Sequence, residues 1–266
     1  MSIAILGAFL VLGAISGLLA GLFGIGGGMV IVPALVYLLP KVGVPDDLIM
    51  SMALGTSFST IVVNTFSAAQ HHHKLGNIEF SVIKVFVPAL MIMGFLTASI
   101  VTDLPKHIIT KLFSVLMFYL SLKMFLSIKS QKVATKQLTV RSMITAGSVI
   151  GVLASLGGIA GGGFIVPFLE GRGLALKKAI GTSSFCGCLL GLTGMLSFMF
   201  YGYNIPNLPD YSLGYVYLPA LFGVVSVSFF TSKLGAKLAA VLSVSILKRA
   251  FALLLVGIAI NMFFKY

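Results

Sequence analysis

A ten-residue string occurs twice in this chain, as Gly24-Ile25-Gly26-Gly27-Gly28-Met29-Val30-Ile31-Val32-Pro33 and as Gly158-Ile159-Ala160-Gly161-Gly162-Gly163-Phe164-Ile165-Val166-Pro167, identical at seven of ten positions. Each copy falls inside an apolar stretch that otherwise reads as one long membrane helix. Lipid offers freed N–H and C=O groups no partners, so a helix broken at that depth survives only where protein or a polar cavity supplies them. Two broken helices at corresponding positions of two halves point to the binding site of a membrane carrier.

The surroundings are those of an integral membrane protein. Charged residues make up 9% of the 266 positions and hydrophobic ones 58%, whereas a soluble domain carries about 25% charged residues. Stretches near the roughly 20 residues that span a bilayer run from Ile3 to Phe23, Ser51 to Ala69, Phe80 to Val101, Ile108 to Ile128, Met143 to Leu156, Ala179 to Tyr201, Leu213 to Thr231 and Ile246 to Phe264. Half-length pieces, Met29 to Leu39 and Phe164 to Leu169, follow the glycine runs and bring the embedded segments to ten. The first stretch lacks the basic flank of a secretory signal and has an internal counterpart, so it is expected to remain in the mature protein.

The duplication extends beyond the glycines. Ala53-Leu54-Gly55-Thr56-Ser57 recurs as Ala179-Ile180-Gly181-Thr182-Ser183, and Pro88-Ala89-Leu90 as Pro219-Ala220-Leu221. Lys111-Leu112-Phe113 recurs as Arg249-Ala250-Phe251, and Met124-Phe125 as Met262-Phe263. The chain therefore divides into a first membrane repeat over 1–128, a basic cytoplasmic linker over 129–141 and a second membrane repeat over 142–266. If each glycine-broken unit enters the membrane and returns, the second half is upside down relative to the first. Cytoplasmic loops hold the Lys/Arg excess. With returning units and the linker inside, twelve Lys and Arg lie inside, against Lys41, Lys106, Lys111 and Lys265 outside. With crossing units the better orientation gives ten against six and places the linker outside. The expected fold is an all-α integral membrane protein of two inverted repeats of five segments each, every repeat opened by a glycine-broken re-entrant V-shaped helix pair, with both termini outside.

Consecutive glycines allow left-handed backbone and close approach of another group. Helices restarting after them present free N–H groups and a positive dipole end at membrane depth, which makes an anion receptor without a charged side chain. The candidate substrate-binding residues are Gly26, Gly27, Gly28 and Met29 in the first copy and Gly161, Gly162, Gly163 and Phe164 in the second. Thr56, Ser57, Thr182 and Ser183 add hydroxyls able to donate to an oxyanion, and Asn64, whose repeat counterpart is Leu190, is a further donor. Close helix packing is the competing use of small residues in membranes, but packing alone rarely requires a broken helix. No acidic residue stands near the middle of a span. Asp46, Asp47, Asp103 and Asp210 fall in outside loops, with Glu79 and Glu170 at inside span ends. Cation carriers commonly rely on intramembrane carboxylates, so a small anionic substrate is favoured.

Other signals carry less. His71-His72-His73 lack the Cys or carboxylate company of a metal site and are expected in an inside loop. Cys186 and Cys188 suit packing thiols. Tyr201, Tyr203, Tyr211, Tyr215 and Tyr217 flank a loop without Lys or Arg and are expected as interfacial anchors. The net charge of +12 is scattered over short loops, so topology explains it and no nucleic-acid partner is implied. No cofactor, metal or enzymatic reaction is implied either.

Gly-Ile-Gly-Gly-Gly followed by Val-Pro, Ala-x-Gly-Thr-Ser in each half, the loop ending in Gly76-Asn77-Ile78 and the C-terminal Lys248-Arg249-Ala250-Phe251 resemble the TauE/SafE family of sulfite and sulfonate exporters over nearly the whole chain. The resemblance implies transport of small sulfur-containing oxyanions without ATP-hydrolysing machinery in this polypeptide. Two features depart from symmetry: Ala160 stands where the first copy has Gly26, and the gap from Pro167 to Ala179 is eight residues shorter than that from Pro33 to Ala53. The expected protein is a multi-pass protein of a bacterial or archaeal inner membrane, a monomer or homodimer in the lipid bilayer. It is expected to work as a secondary carrier by alternating access, with a proton or sodium as coupling ion. A passive anion channel, or a carrier for a non-sulfur organic anion, fits the same residues.

Overall fold

A computed structural model describes residues 3–23, 26–126, 137–241 and 244–265. Its helices are α1 (Ile3–Phe23), α2 (Gly28–Leu38), α3 (Ile49–Lys74), α4 (Phe80–Asp103), α5 (Lys106–Leu126), α6 (Val140–Leu156), α7 (Gly162–Glu170), α8 (Leu176–Tyr201), α9 (Leu218–Val241) and α10 (Val244–Lys265), with a 3₁₀ turn at Leu39–Val42 after α2. A two-stranded antiparallel hairpin, β1 (Ser212–Leu213) and β2 (Val216–Tyr217), precedes α9. The chain is an all-α multi-pass membrane protein.

Among the described residues six helices are long and apolar enough to cross a bilayer: α1, α3, α4, α5, α8 and α9. Eight spans of that length were expected from the sequence. α6 stops at 17 residues because the second glycine run follows it. α10 runs over Val244–Lys265, and among its described residues Phe251–Phe264 form an apolar stretch. Three other boundaries differ. α3 runs on to Lys74, so His71, His72 and His73 form its last turn rather than a loop, where positive groups complement the helix dipole. The segment expected to begin a span at Leu213 instead makes the hairpin, turned at Gly214 (φ 55°), and α9 starts at Leu218. Val140 and Arg141, assigned to the linker, begin α6, while positions 129–136 of the linker lie outside the described residues.

The helices pair as α1 with α9, α4 with α6, α3 with α8 and α5 with α10, and α4 and α9 further pack on α8 and α3 respectively. Exchanging the first five helices for the last five leaves these pairings unchanged. Glycines fix the directions. Gly13 meets Val224, Gly17 meets Ser228, and Gly235 meets Leu18 and Leu22, so α1 and α9 run the same way. Gly147 meets Phe86, Gly151 meets Leu90, and the Ser155 hydroxyl donates to the Gly94 carbonyl, so α4 and α6 are parallel too. Gly55 lies against Phe198, Gly194 against Phe58 and Gly187 against Thr65, which makes α3 and α8 antiparallel. Thr56 and Asn64 of α3 meet Tyr217 and Ser228 at the start and middle of α9, and Glu79, just before α4, and Phe95, within it, meet Thr182 and Tyr201 of α8. The contacts of Glu79 and Phe95 with Thr182 and Tyr201 make α4 and α8 parallel; thus α1, α3 and α9 point one way and α4, α6 and α8 the other.

With no hydrophobic drive between helices in lipid, close van der Waals contact through small residues supplies the association. An added Cβ at Gly13 would overlap the Val224 carbonyl, whereas one at Gly7, on the same helix, meets nothing within 4 Å. Gly13→Leu is therefore expected to destabilise the folded protein by about 1–3 kcal/mol, the usual cost of overpacking, while Gly7→Leu leaves the melting temperature in detergent unchanged. Equal melting of both variants would remove the close α1–α9 contact as a source of stability.

Candidate functional site

The two glycine runs build equivalent helix starts. Gly27 (φ 83°) and Gly161 (φ 74°) are the left-handed N-caps of α2 and α7, a conformation open to glycine at no steric cost. The first amides that close onto these caps are those of Val30, donating to the Gly27 carbonyl at 3.1 Å, and Phe164, donating to the Gly161 carbonyl at 2.9 Å. The amides of Gly28 and Met29, and of Gly162 and Gly163, precede the ladders at the positive dipole end. The symmetry is incomplete. Gly26 is left-handed (φ 73°), whereas its counterpart Ala160 is not, and the second run takes its other left-handed residue at Gly158 (φ 56°).

Both starts lie halfway along the central α3–α8 pair. Gly26 and Gly28 approach Ile61, which stands at the middle of the 26-residue α3, and Ala160 packs on Gly187, at the middle of the 26-residue α8. The runs also touch each other. A Cβ on Gly28 would overlap the Gly158 carbonyl, one on Gly26 would come within 2.9 Å of the Ala160 methyl, and one on Gly163 would lie 3.6 Å from the Met29 methyl. Gly26, Gly27, Gly28, Met29, Gly161, Gly162 and Phe164 are all buried, and Gly163 is partly so. The two starts are closed against one another.

The repeated Gly-Thr-Ser element divides its labour. Gly55 and Gly181 leave room for the carbonyls of Tyr215 and Asn77. The hydroxyls of Thr56 and Thr182 then accept the amides of Tyr217 (3.0 Å) and Glu79 (2.9 Å), the residues that immediately precede α9 and α4. Glu79 is held further by the Lys178 ammonium at 2.9 Å and the Ser81 hydroxyl at 2.9 Å, which together keep its carboxyl below the ordinary carboxylate range. Ser57 turns the other way and donates to the Gly158 carbonyl at 2.9 Å, tying α3 to the opposite glycine run. Ser183, its repeat counterpart, is 3% exposed, and its hydroxyl has no hydrogen-bond partner among the described residues. Asn64 accepts from Ser228 of α9 at 2.9 Å and reaches the Gly26 carbonyl with its amide at 3.5 Å.

The structure thus brings Gly26, Gly28, Met29, Ser57, Asn64 and Gly163 to one mid-depth junction. Thr56 and Thr182 are turned to the starts of α9 and α4 instead, and the Phe164 ring stacks on Tyr119 of α5 (centroids 6.3 Å) beneath the Lys123 ammonium (5.2 Å). Sequence reasoning passed over Ser228 and Gly187, and read Gly158 and Ala160 only as parts of the repeat, not as candidate site residues. A serine in a span gives no signal of its own, and the partner of Asn64 was not sought on α9 because nothing local joins positions 164 residues apart. Tyr215 and Tyr217, expected as interfacial anchors, are instead 3% and 5% exposed and pack on Phe198 and Phe9. Tyr203 and Tyr211 are exposed as expected.

The hydroxyl geometry separates stability from the remaining chemistry. Thr182→Val, which strands the Glu79 amide, is expected to cost about 1–3 kcal/mol, seen as a lower melting temperature. Ser183→Ala, which removes an unpartnered buried hydroxyl, is expected to leave melting unchanged or raise it, and a loss as large as that of Thr182→Val would contradict this assignment.

A family model described as Sulfite exporter TauE/SafE matches residues 9–262. A probable membrane transporter protein of Haemophilus influenzae is 55% identical over 256 residues, covering 96% of this chain and 97% of the relative. Probable membrane transporter proteins of Methanocaldococcus jannaschii (28% identical; 86% of this chain, 84% of the relative) and Bacillus subtilis, there called YunE (27%; 85% of each), are similar at greater distance. No solved structure matches the chain. Near-complete coverage by the family model and by a relative sharing more than half its residues identifies this chain as a member of the TauE/SafE sulfite exporter family.

Proposed function

We propose that the protein is a secondary carrier of small sulfur-containing oxyanions, sulfite or an organosulfonate, working by alternating access between inverted halves 1–128 and 142–266 joined by the linker 129–141. The helix directions support the inversion. α1 and α3 of the first half run parallel, so the chain between them, with α2 and the 3₁₀ turn, folds back as a re-entrant V. α6 and α8 of the second half run parallel to each other and opposite to α1 and α3, with α7 returning between them.

The observation that carries the reading is the meeting of two helix N-termini at mid-depth without any acidic side chain. Four amides ahead of their ladders (Gly28, Met29, Gly162, Gly163) stand at these two helix starts, and oriented amides at a helix start favour a negative ligand. Ser57, next to Gly28, and its repeat counterpart Ser183 on α8 supply hydroxyl donors, the Ser183 hydroxyl being without a partner among the described residues. Asn64 adds a donor from the first half only. Thr56 and Thr182 hold the starts of α9 and α4 in place and keep their hydroxyl hydrogens for the outer edge of the site, and Phe164 closes the side next to α5. Because Gly28 is packed on Gly158, a solute reaches the amides only when α2 and α7 part, and left-handed Gly27 and Gly161 are the joints that permit it. Parting toward one face and then the other is alternating access. The coupling ion, proton or sodium, moves in the same cycle.

Flux of labelled sulfite or taurine into proteoliposomes tests this. Gly27→Val and Gly162→Val force a branched side chain onto the junction and are expected to abolish flux while folded protein remains in the membrane. Ser183→Ala is expected to raise KM at unchanged stability. Undiminished flux in both glycine variants would sink the proposal.

A further inference from the structure

Away from the central junction, a groove of about 790 Å³ opens between α5, α6 and α7. Its walls are apolar over most of their length: Leu112, Val115 and Leu116 from α5 face Val149, Ile150 and Leu153 from α6. From Leu112 to Lys123 the α5 wall rises about 16 Å at 1.5 Å per residue, close to half the thickness of a hydrocarbon core of about 30 Å. At the end where α5 finishes and α6 begins, polar groups collect. Lys123 stands over the rings of Phe164 (5.2 Å) and Tyr119 (5.9 Å). Arg172 stands over Phe168 (4.8 Å) and donates to the Gln137 carbonyl at 3.2 Å, with Ser142 and Thr145 beside them. No carboxylate is among the described residues that line the groove. Arg172 belongs to the same face as Lys178 and Glu79, the face that the Lys/Arg distribution assigns to the cytoplasm.

We propose that this groove binds one anionic phospholipid of the cytoplasmic leaflet, its phosphate between Lys123 and Arg172 and an acyl chain along the α5–α6 walls. Basic pockets between membrane helices on the cytoplasmic side are suited to anionic headgroups, and aromatic rings beneath both cations fix where the charges stand. An aqueous anion path would need polar walls, and six aliphatic side chains along the groove do not provide them. The cations at one end select the headgroup, and the length of the walls selects the chain. Exposed Val149 (57%) and Val115 (59%) leave the groove open to lipid on its outer side.

The test uses the full-length protein purified in neutral detergent, with melting followed on addition of phosphatidylglycerol, phosphatidylcholine of identical acyl chains, or inorganic phosphate. Phosphatidylglycerol at saturation is expected to raise the melting temperature by about 5 °C, and the other two to leave it unchanged. The rise is lost in Lys123→Gln/Arg172→Gln, kept in Lys123→Arg, and lost in Val149→Trp, which fills the groove from its exposed side. Native mass spectra should show one retained phosphatidylglycerol per protomer. Equal shifts from the two lipids, a shift reproduced by phosphate alone, or an undiminished response in the double variant would overturn the proposal. So would a dimer that Val149→Trp dissociates and neither lipid affects, since a second copy would then cover the groove.

Discussion

The architecture depends on a shortage of partners. Inside lipid a backbone N–H or C=O freed from its helix costs several kcal/mol unless protein satisfies it, and this chain frees such groups twice at the same depth. The structure meets the demand by placing each break against the other and against the midpoints of α3 and α8. Ser57 reaches across to the Gly158 carbonyl, and Asn64, itself held by Ser228, reaches the Gly26 carbonyl. Remove the central antiparallel pair and neither glycine run has a surface to lie on. That explains why α3 is the most deeply buried of the spans, 83% of its apolar window lying inside the protein.

The same requirement organises the helices around the pair. α9 and α4 are hung from α3 and α8 by equivalent devices, Thr56 with Gly55 and Thr182 with Gly181, each accepting one backbone amide and accommodating one carbonyl. α1 and α6 then lie in close contact along α9 and α4, at a separation that only glycine permits, as where Gly13 faces Val224 and Gly147 faces Phe86. Each half thus contributes helices that grip the other half's connecting segments, so the two repeats interlock instead of sitting side by side. Rocking motions of such a body would bend at the glycine caps, where backbone torsion is cheapest, and leave the threonine ties intact.

Where the halves differ, the difference falls on the junction. Ala160 replaces Gly26 and is not left-handed, Leu190 replaces Asn64, and Ser57 is bonded while Ser183 has no partner among the described residues. The proposed alternating-access cycle has two different closed ends, and unequal halves are a direct way to make those ends energetically distinct. The family to which the chain belongs is described by sulfite export, and an unequal pair of amide-lined helix starts is compatible with a ligand that presents several oxygens in different directions.

Much of this was legible in the residues themselves. The glycine runs, the absence of mid-span carboxylates and the tandem order of motifs are local properties, and they fixed the membrane class, the places where helices break and the family. α1 was located to the residue, and the starts of α2 and α7 to within two. What local pattern did not reveal was how each motif's side chains are used. Thr56 and Ser57 are neighbours in sequence, yet on a helix adjacent residues point about 100° apart, so one caps α9 while the other faces the opposite repeat. The burial of Tyr215 and Tyr217, the bond from Ser228 to Asn64 and the contact of one glycine run with the other depend on helices brought together over more than a hundred residues of chain. The sequence alone determined that the backbone must break twice in lipid, because glycine and proline act on their own torsions. Only the tertiary structure decided what satisfies those breaks, because a hydrogen-bond partner is set by distance in space and not along the chain.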